Sequence, residues 1–340
     1  MFAARWGREN MAVLSLDETR ERVAAALQRN NTDPGNAASV AAALVAAEAD
    51  GQKGHGLSRV ASYAAQAKAG KVDGFAHPTL TRPRSGLAII DAAHGFAYPA
   101  LDLAAAVLPS FAAANGIAAA ALHRSHHCGA AGLTVETLAG KGLVSLLFAN
   151  TPAAMAPWGG SVGVFGTNPI AFACPLPDAP PLVIDLSLSK VARGNLVTAR
   201  QRGEAIPEGW AVDRDGKPTT DPEAGLSGTM VPMGDAKGTA LALMVELLAA
   251  GLTGANFAAE ASSFLDAKGP PPGTGQLLIV MDCAAFGGPA VLARFARLAA
   301  AIEAQPGARL PGRRRLALRA RAAQEGLTIP DALLNEIDRV

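Results

Sequence analysis

The distribution of apolar residues along this chain restricts its fold more than any other feature. Near both ends they recur at helical spacing in alanine-rich runs. In the middle they form short unbroken stretches separated by glycine and proline. SLDE at 15–18 places a Ser three residues ahead of a Glu, the capping-box arrangement that starts a helix. Further helices are expected over 37–50 and over 57–69, the latter closed by Gly70. The stretch 85–99 reads as strand, turn and extended chain. It is followed by a helix over 101–115, a buried strand over 116–123, a helix over 133–142 and a strand over 143–149. Short apolar segments at 162–165 and 170–174 precede a strand at 182–187. Residues 203–228 read as a long polar loop, 238–250 as an apolar helix and 276–282 as a strand. From Val291 the pattern is a helix, a basic turn and two more helices. The fold class is therefore α/β.

The chain has 340 residues, half of them hydrophobic and 17% charged, so it can bury a large core and is not disordered. Lys and Arg number 30 against 29 acidic residues, which gives no global basic excess for nucleic acid. Cys128, Cys174 and Cys283 form no CxxC pair and no disulfide framework, which points to a reducing cytoplasm. No run of about 18 apolar residues lacks a glycine, proline or charge, so no membrane span is expected. The amphipathic pattern begins just after Met11, which makes Met11 an alternative start.

Six segments carry candidate chemistry. In GHGLSRVASY, His55, Arg59 and Tyr63 are spaced by four, as on one helical face. An arginine fork matches a carboxylate, and a histidine holds a transferable proton near neutral pH. The same spacing also suits an ordinary polar helix surface. Glycines on both sides of His55 allow another group to approach closely. HRSHHCGAAG, 123–132, lies between a buried strand and a helix, where ligands of α/β proteins gather. It reads as a ligand loop or as a helix-capping loop. No second ligand cluster accompanies it, so no metal is expected.

PWGGSVGVFGTNP, 157–169, is neither a dinucleotide nor a Walker loop. It reads as tight turns, with Thr167 and Asn168 able to address a substrate carboxylate or carboxamide. In IDLSLSKVARG, 184–194, Asp185 ends a strand and suits ribose hydroxyls, with Lys190 and Arg193 close in sequence. A solvated charged turn is the alternative. PMGDAKG, 232–238, puts Lys237 at a helix N-terminus, against the helix dipole, which an anion there would explain. RLPGRRR, 309–315, is either a pyrophosphate or 2′-phosphate site or a basic surface turn. It lacks the aromatic interleaving of nucleic-acid binders.

In this order the segments resemble the malate/L-lactate dehydrogenase family that lacks the Rossmann fold. FGTNP, GWAVD with PTTDP, and KG before the long helix are the most specific. The resemblance runs from about Leu14 to the C-terminal helices. SLSKVARG, IPEGWAVD, PMGDAKG and EASSF are most similar to (R)-sulfolactate dehydrogenases. RSHH, FGTNP and TGQLLI are shared with piperideine/pyrroline-2-carboxylate reductases.

The resemblance implies a cofactor domain with a mixed, largely antiparallel sheet over 77–289. It also implies a helical dimerisation and substrate domain from 12–76 and 290–340, and homodimers with sites near the interface. The cofactor it implies is NADP(H), favoured by the arginines of 309–315, or NAD(H). The substrate is a small anion, and neither nucleic acid nor membrane is a partner. By resemblance His55 is the proton donor, with His127 matching a histidine sometimes given the acid/base role, and Arg59 binds the carboxylate. Thr167, Arg193 and Gly194 contact substrate. His126, His127, Cys128, Gly129 and Ala130, then Asp185, Leu186 and Ser187, then Lys237, Arg309, Gly312, Arg313 and Arg315, contact cofactor. Many family members carry Ser before the donor histidine. Here that position is Gly54, so Ser58 or water orients His55, or His127 supplies the proton. The expected reaction is hydride transfer at C2 of a small 2-oxo or 2-hydroxy acid of the sulfolactate or malate/lactate kind. Cyclic 2-imino acids are the alternative substrates, and a non-catalytic nucleotide-binding protein is the alternative of another class.

Overall fold

The computed structural model describes residues 10–340. The reading of Met11 as a start concerns residues 1–9, which lie outside the described residues. The chain opens with β1 (Met11–Leu14), α1 (Leu16–Gln28), α2 (Pro34–Ala49) and α3 (Val60–Lys68). Next come β2 (Thr79–Arg84), β3 (Leu87–Asp91), α4 (Ala97–Asn115), β4 (Ile117–Ser125), α5 (Ala131–Ala139) and β5 (Leu143–Ala149). β6 (Ile170–Leu176), β7 (Ala179–Leu186), α6 (Arg193–Arg202), β8 (Ala211–Val212), β9 (Pro218–Thr219), α7 (Pro222–Ser227) and β10 (Thr229–Met230) follow. The chain closes with α8 (Ala236–Glu246), β11 (Thr274–Asp282), α9 (Cys283–Phe286), α10 (Pro289–Glu303), α11 (Arg313–Glu325), β12 (Leu327–Pro330) and α12 (Asp331–Arg339).

α1 begins as its sequence predicts. The Ser15 hydroxyl accepts from Glu18 N, and the Glu18 carboxylate accepts from Ser15 N at 2.9 Å. The central sheet has seven strands in the order β2-β3-β4-β11-β5-β6-β7. Only β3–β4 is parallel, so the sheet is mixed and largely antiparallel. Alanines 118 and 120 of β4, with Leu122, Leu147, Leu278 and Val280, pack one face against α4 and α5. Ala121, Phe148 and Leu277 present the other face to α8 and the polar insertion. A third cluster joins α1, α2 and α3 to Ala322, Leu327, Ile329, Leu334 and Ile337 from the C-terminal end.

The structure bears on three expectations, and corrects the reading of 203–228 as a loop. By length and composition α4 is long and apolar enough to cross a membrane, its prolines and Asp102 notwithstanding. Here Ala100, Leu101, Ala104, Leu108 and Phe111 bury it in the sheet core. The polar stretch 203–228 folds into α7 and a small sheet ordered β10-β8-β9. Beyond residue 290, α10 packs against β6. Only α11, β12 and α12 return to the N-terminal helices.

One ionic cluster ties these parts together. Asp50, fully buried at the end of α2, accepts from Arg315 at 3.0 Å and from Arg319 Nε at 2.7 Å. Both guanidinium groups also bond Glu136 of α5, at 2.7 Å each.

Candidate active site

The segment 52–59 makes two successive tight turns, Lys53–His55 and Leu57–Arg59, before α3. His55, Arg59 and Tyr63 therefore do not share one α-helical face, because the chain bends at Gly56. That glycine is required: a Cβ there would lie 2.3 Å from Glu48 Oε2. The same carboxylate accepts from Leu57 N at 3.0 Å and pins the turn to α2. Arg59 Nε donates to Gly54 O at 2.7 Å, and its two terminal amino groups have no protein partner among the described residues. His55 Nδ1 is buried without a partner. Ser58 does not orient it, since its hydroxyl donates to Lys53 O at 2.6 Å.

β4 delivers His126 and His127 to the same place. The His127 and His55 ring centroids are 5.2 Å apart. His127 Nδ1 lies 2.6 Å from the Tyr63 hydroxyl, which lies 3.3 Å from the Tyr98 hydroxyl. His126 was expected to contact cofactor, but it is enclosed. Its Nε2 donates to Gln66 Oε1 at 3.0 Å, and Phe96, Tyr63 and Phe264 surround the ring. Gln66 Nε2 donates onward to Phe264 O at 2.9 Å. The buried Lys71 ammonium donates to the carbonyls of Ser263, Asp266 and Lys268, clamping the Phe264 segment over both histidines. Composition and spacing do not reveal Gln66, Lys71, Tyr98 and Phe264, because each acts through contacts distant in sequence.

Burial disfavours charge throughout this cluster. It takes His55 down to about 4, with help from the Arg59 charge, and His126 down to about 3, with help from Lys71 and Arg59. His127 is lowered by burial, then by Arg59 and its histidine neighbours. The Cys128 thiol, also enclosed, is pushed up to about 12 by burial and by Asp185, so it stays protonated.

Strand register brings the other segments to the same end of the sheet. Ser125 pairs with Thr274, Gln276 with Ala149, Phe148 with Ile170, and Ile170 with Leu186. Leu188 N donates to Thr167 O, and Met233 N donates to Leu188 O, both at 2.8 Å, which knits the glycine-rich, IDLSLSK and PMGDAKG segments together. Ser187 bonds Ser189 at 3.2 Å, and Gly194 has open space around it. Asn168 Oδ1 is buried without a partner, and its amide nitrogen is held by the protein. It is buried and donates to Glu246 Oε2 at 2.7 Å, alongside Asn150 at 3.1 Å and Ala258 N at 2.6 Å.

Four further expected ligand contacts also have protein partners. Asp185 accepts from Gly132 N at 2.8 Å, capping α5, and burial raises its carboxyl. Arg193 donates to Ala153 O at 3.2 Å and is a tether for α6. Arg315 is turned inward to Asp50 and Glu136, so it is not a free phosphate contact. Arg313 is exposed and reaches Glu303 at 3.5 Å. Lys237 and Arg309 are exposed, with no carboxylate partner among the described residues. Gly312, at φ +87°, brings the basic turn beside Val183 of β7.

An arginine fork and buried imidazoles, at the end of a largely antiparallel sheet, suit a small carboxylate substrate. The sequence profile of the malate/L-lactate dehydrogenase family matches residues 14–338, and the chain belongs to that family. It is 48% identical over 325 residues to the (2R)-3-sulfolactate dehydrogenase (NADP(+)) of Chromohalobacter salexigens, covering 96% of this chain and 97% of that one. It is 41% identical over 328 residues to Delta(1)-pyrroline-2-carboxylate reductase 1 of Burkholderia ambifaria, covering 96% of each. The crystal structure of delta1-piperideine-2-carboxylate reductase from Pseudomonas syringae superposes with a TM-score of 0.92 at 37% identity, over 96% of this chain and 99% of that one.

The lowered histidines set an acid limit on stability. Above about 6.5 they are neutral in both folded and unfolded chains. Below it the unfolded chain takes up protons that the folded chain refuses, so stability is lost as pH falls from 6.5 toward 4. The apparent melting temperature should fall between pH 7 and pH 5, with a shallower slope in His126→Gln. A flat profile over that range would contradict the burial argument.

Proposed function

We propose that this chain is an NADP(H)-dependent oxidoreductase acting at C2 of small anionic 2-oxo and 2-hydroxy acids, with the sulfopyruvate/sulfolactate pair first among them. The observation that carries this reading is the unpaired Arg59 fork beside His55 and His127. The residues fit a bound dinucleotide and acid. His55 Nδ1 has no partner, Gly194 leaves room, and Lys237 and Arg309 are cations without counter-ions among the described residues. NADP(H), when bound, supplies or accepts the hydride. Arg59 holds the carboxylate, with Nε tied to Gly54 O and both terminal amino groups left without a protein partner among the described residues. His55 gives its proton to the C2 oxygen. A carboxylate on Arg59 offsets one of the charges that hold His55 low, so substrate binding itself favours the acid form.

For the sulfonate, Lys190 is the second cation, because the terminal nitrogens of Arg193 reach the Ala153 and Leu226 carbonyls and only its buried Nε lacks a partner. Cyclic 2-imino acids are the second reading, favoured by the pyrroline and piperideine reductases among the relatives. The same fork and imidazole serve an imine nitrogen. Three free, buried thiols accord with a reducing cytoplasm. A homodimer is supported by the exposed apolar run Leu241, Leu243, Met244 and Leu247 on and just after α8.

Assay of NADPH and NADH oxidation with a panel of 2-oxo acids and cyclic imines tests the reaction. Turnover is expected with sulfopyruvate, and His55→Ala should lower kcat by a factor on the order of 10². NADPH binding without turnover of any panel member would favour a non-catalytic binding protein. Lys190→Ala should raise KM for sulfopyruvate about tenfold, the scale of one charged hydrogen bond, and leave pyruvate unaffected. Equal KM values would remove Lys190 from the sulfonate site. Sedimentation equilibrium should give a dimer that Leu243→Asp with Leu247→Asp converts to monomer; a native monomer rules the dimer out.

A further inference from the structure

Two imidazoles stand 5.2 Å apart in this site, and the protein orients only one of them. His55 has an orphaned Nδ1, no side chain at position 54, and a neighbouring serine bonded elsewhere. His127 has Nδ1 at 2.6 Å from the hydroxyl of Tyr63, a residue with no solvent exposure. Behind Tyr63 stands Tyr98, at 3.3 Å. Gly129 is built around that second phenol: at φ +65°, a Cβ there would lie 2.3 Å from the Tyr98 hydroxyl.

Counting protons gives the direction of the chain. The Tyr98 hydroxyl has no hydrogen-bond partner other than Tyr63 among the described residues. Ser39 and Asp102, which line the groove beside Tyr98, bond each other at 2.5 Å. The Tyr98 proton therefore points to Tyr63, and the Tyr63 proton points to His127 Nδ1. Nδ1 is then the acceptor, and the imidazole proton sits on Nε2, which has no protein partner among the described residues.

We infer that Tyr63, backed by Tyr98, is a positioning residue that fixes His127 as the neutral, Nε2-protonated tautomer, the hydrogen-bond donor that polarises the C2 oxygen or imine nitrogen. This inference rests on the site and reaction proposed above. A neutral imidazole can polarise a carbonyl in this way without being an acid. The phenol pair orients and does not conduct. Passing a proton along it would leave a phenolate in an apolar enclosure, where burial pushes Tyr63 up to about 12 and Tyr98 well above the ordinary range. Tyr63 thus gives His127 the support that a side chain at 54 would give His55.

Long-range proton–nitrogen NMR of the 15N-histidine-labelled protein, without substrate or cofactor, tests the tautomer directly. His127 is assigned by its loss in His127→Asn. The expected spectrum has a pyridine-type Nδ1 and a pyrrole-type Nε2. Tyr63→Phe should give a mixture of tautomers and a kcat lower by a factor on the order of 10 to 10², with KM for NADPH unchanged. Tyr98→Phe should do the same to a smaller degree. An Nδ1-protonated His127 in the wild type, a tautomer indifferent to Tyr63→Phe, or a tautomer shift without a fall in kcat would each overturn the inference. Failure of the wild type to turn over any acid or imine would instead overturn the proposed reaction, and the spectrum would still report the tautomer.

Discussion

The Asp50 side chain has no contact with solvent, and two guanidinium groups meet it there. Removing one partner of such a buried set costs about 3–5 kcal/mol, because the remaining charge is stranded away from water. The second acid, Glu136, balances the pair and lies on α5. The position of this cluster matters more than its energy. Asp50 ends the helix that leads into the His55–Arg59 turns, and α5 begins directly after the His127–Ala130 run. One ionic knot, closed by α11 from the far end of the chain, therefore sets the distance between the two halves of the site. That explains why Arg315, within a turn that reads as a phosphate grip, points inward.

Much of this was legible because local chemistry and global packing agree. The Ser15 capping box, the strand at 143–149 and the alanine-rich helices follow from short-range rules, and the structure contains them. The short strands β1 and β12 escaped because four residues give no periodicity, and α6 because RGNLVTARQR has no apolar stripe. At the site, residue type suggested His55, Arg59 and His127. It could not separate a histidine that faces a ligand from one held by Gln66. Nor could it show that Asn168 spends its amide on Glu246. Such assignments depend on partners tens to hundreds of residues away.

The electrostatics of the site follow from enclosure. Phe96, Phe264 and Tyr63 wall the histidines, so burial disfavours charge on the imidazoles. With the Lys71 ammonium spent on three carbonyls, Arg59 is the cation there whose terminal amino groups are free to attract and orient a small anion. Keeping the walls in place falls to Lys71, whose three carbonyl contacts lie at the base of the Phe264 segment.

Gly54 has open space around it: a Cβ added there meets nothing within 4 Å, and its backbone lies outside the left-handed region. A serine side chain therefore fits at 54 without rebuilding its surroundings. Of the two neighbouring imidazoles, one has a phenol at 2.6 Å and the other has an open position beside it in the chain, so the same backbone can accept a second brace without moving the first.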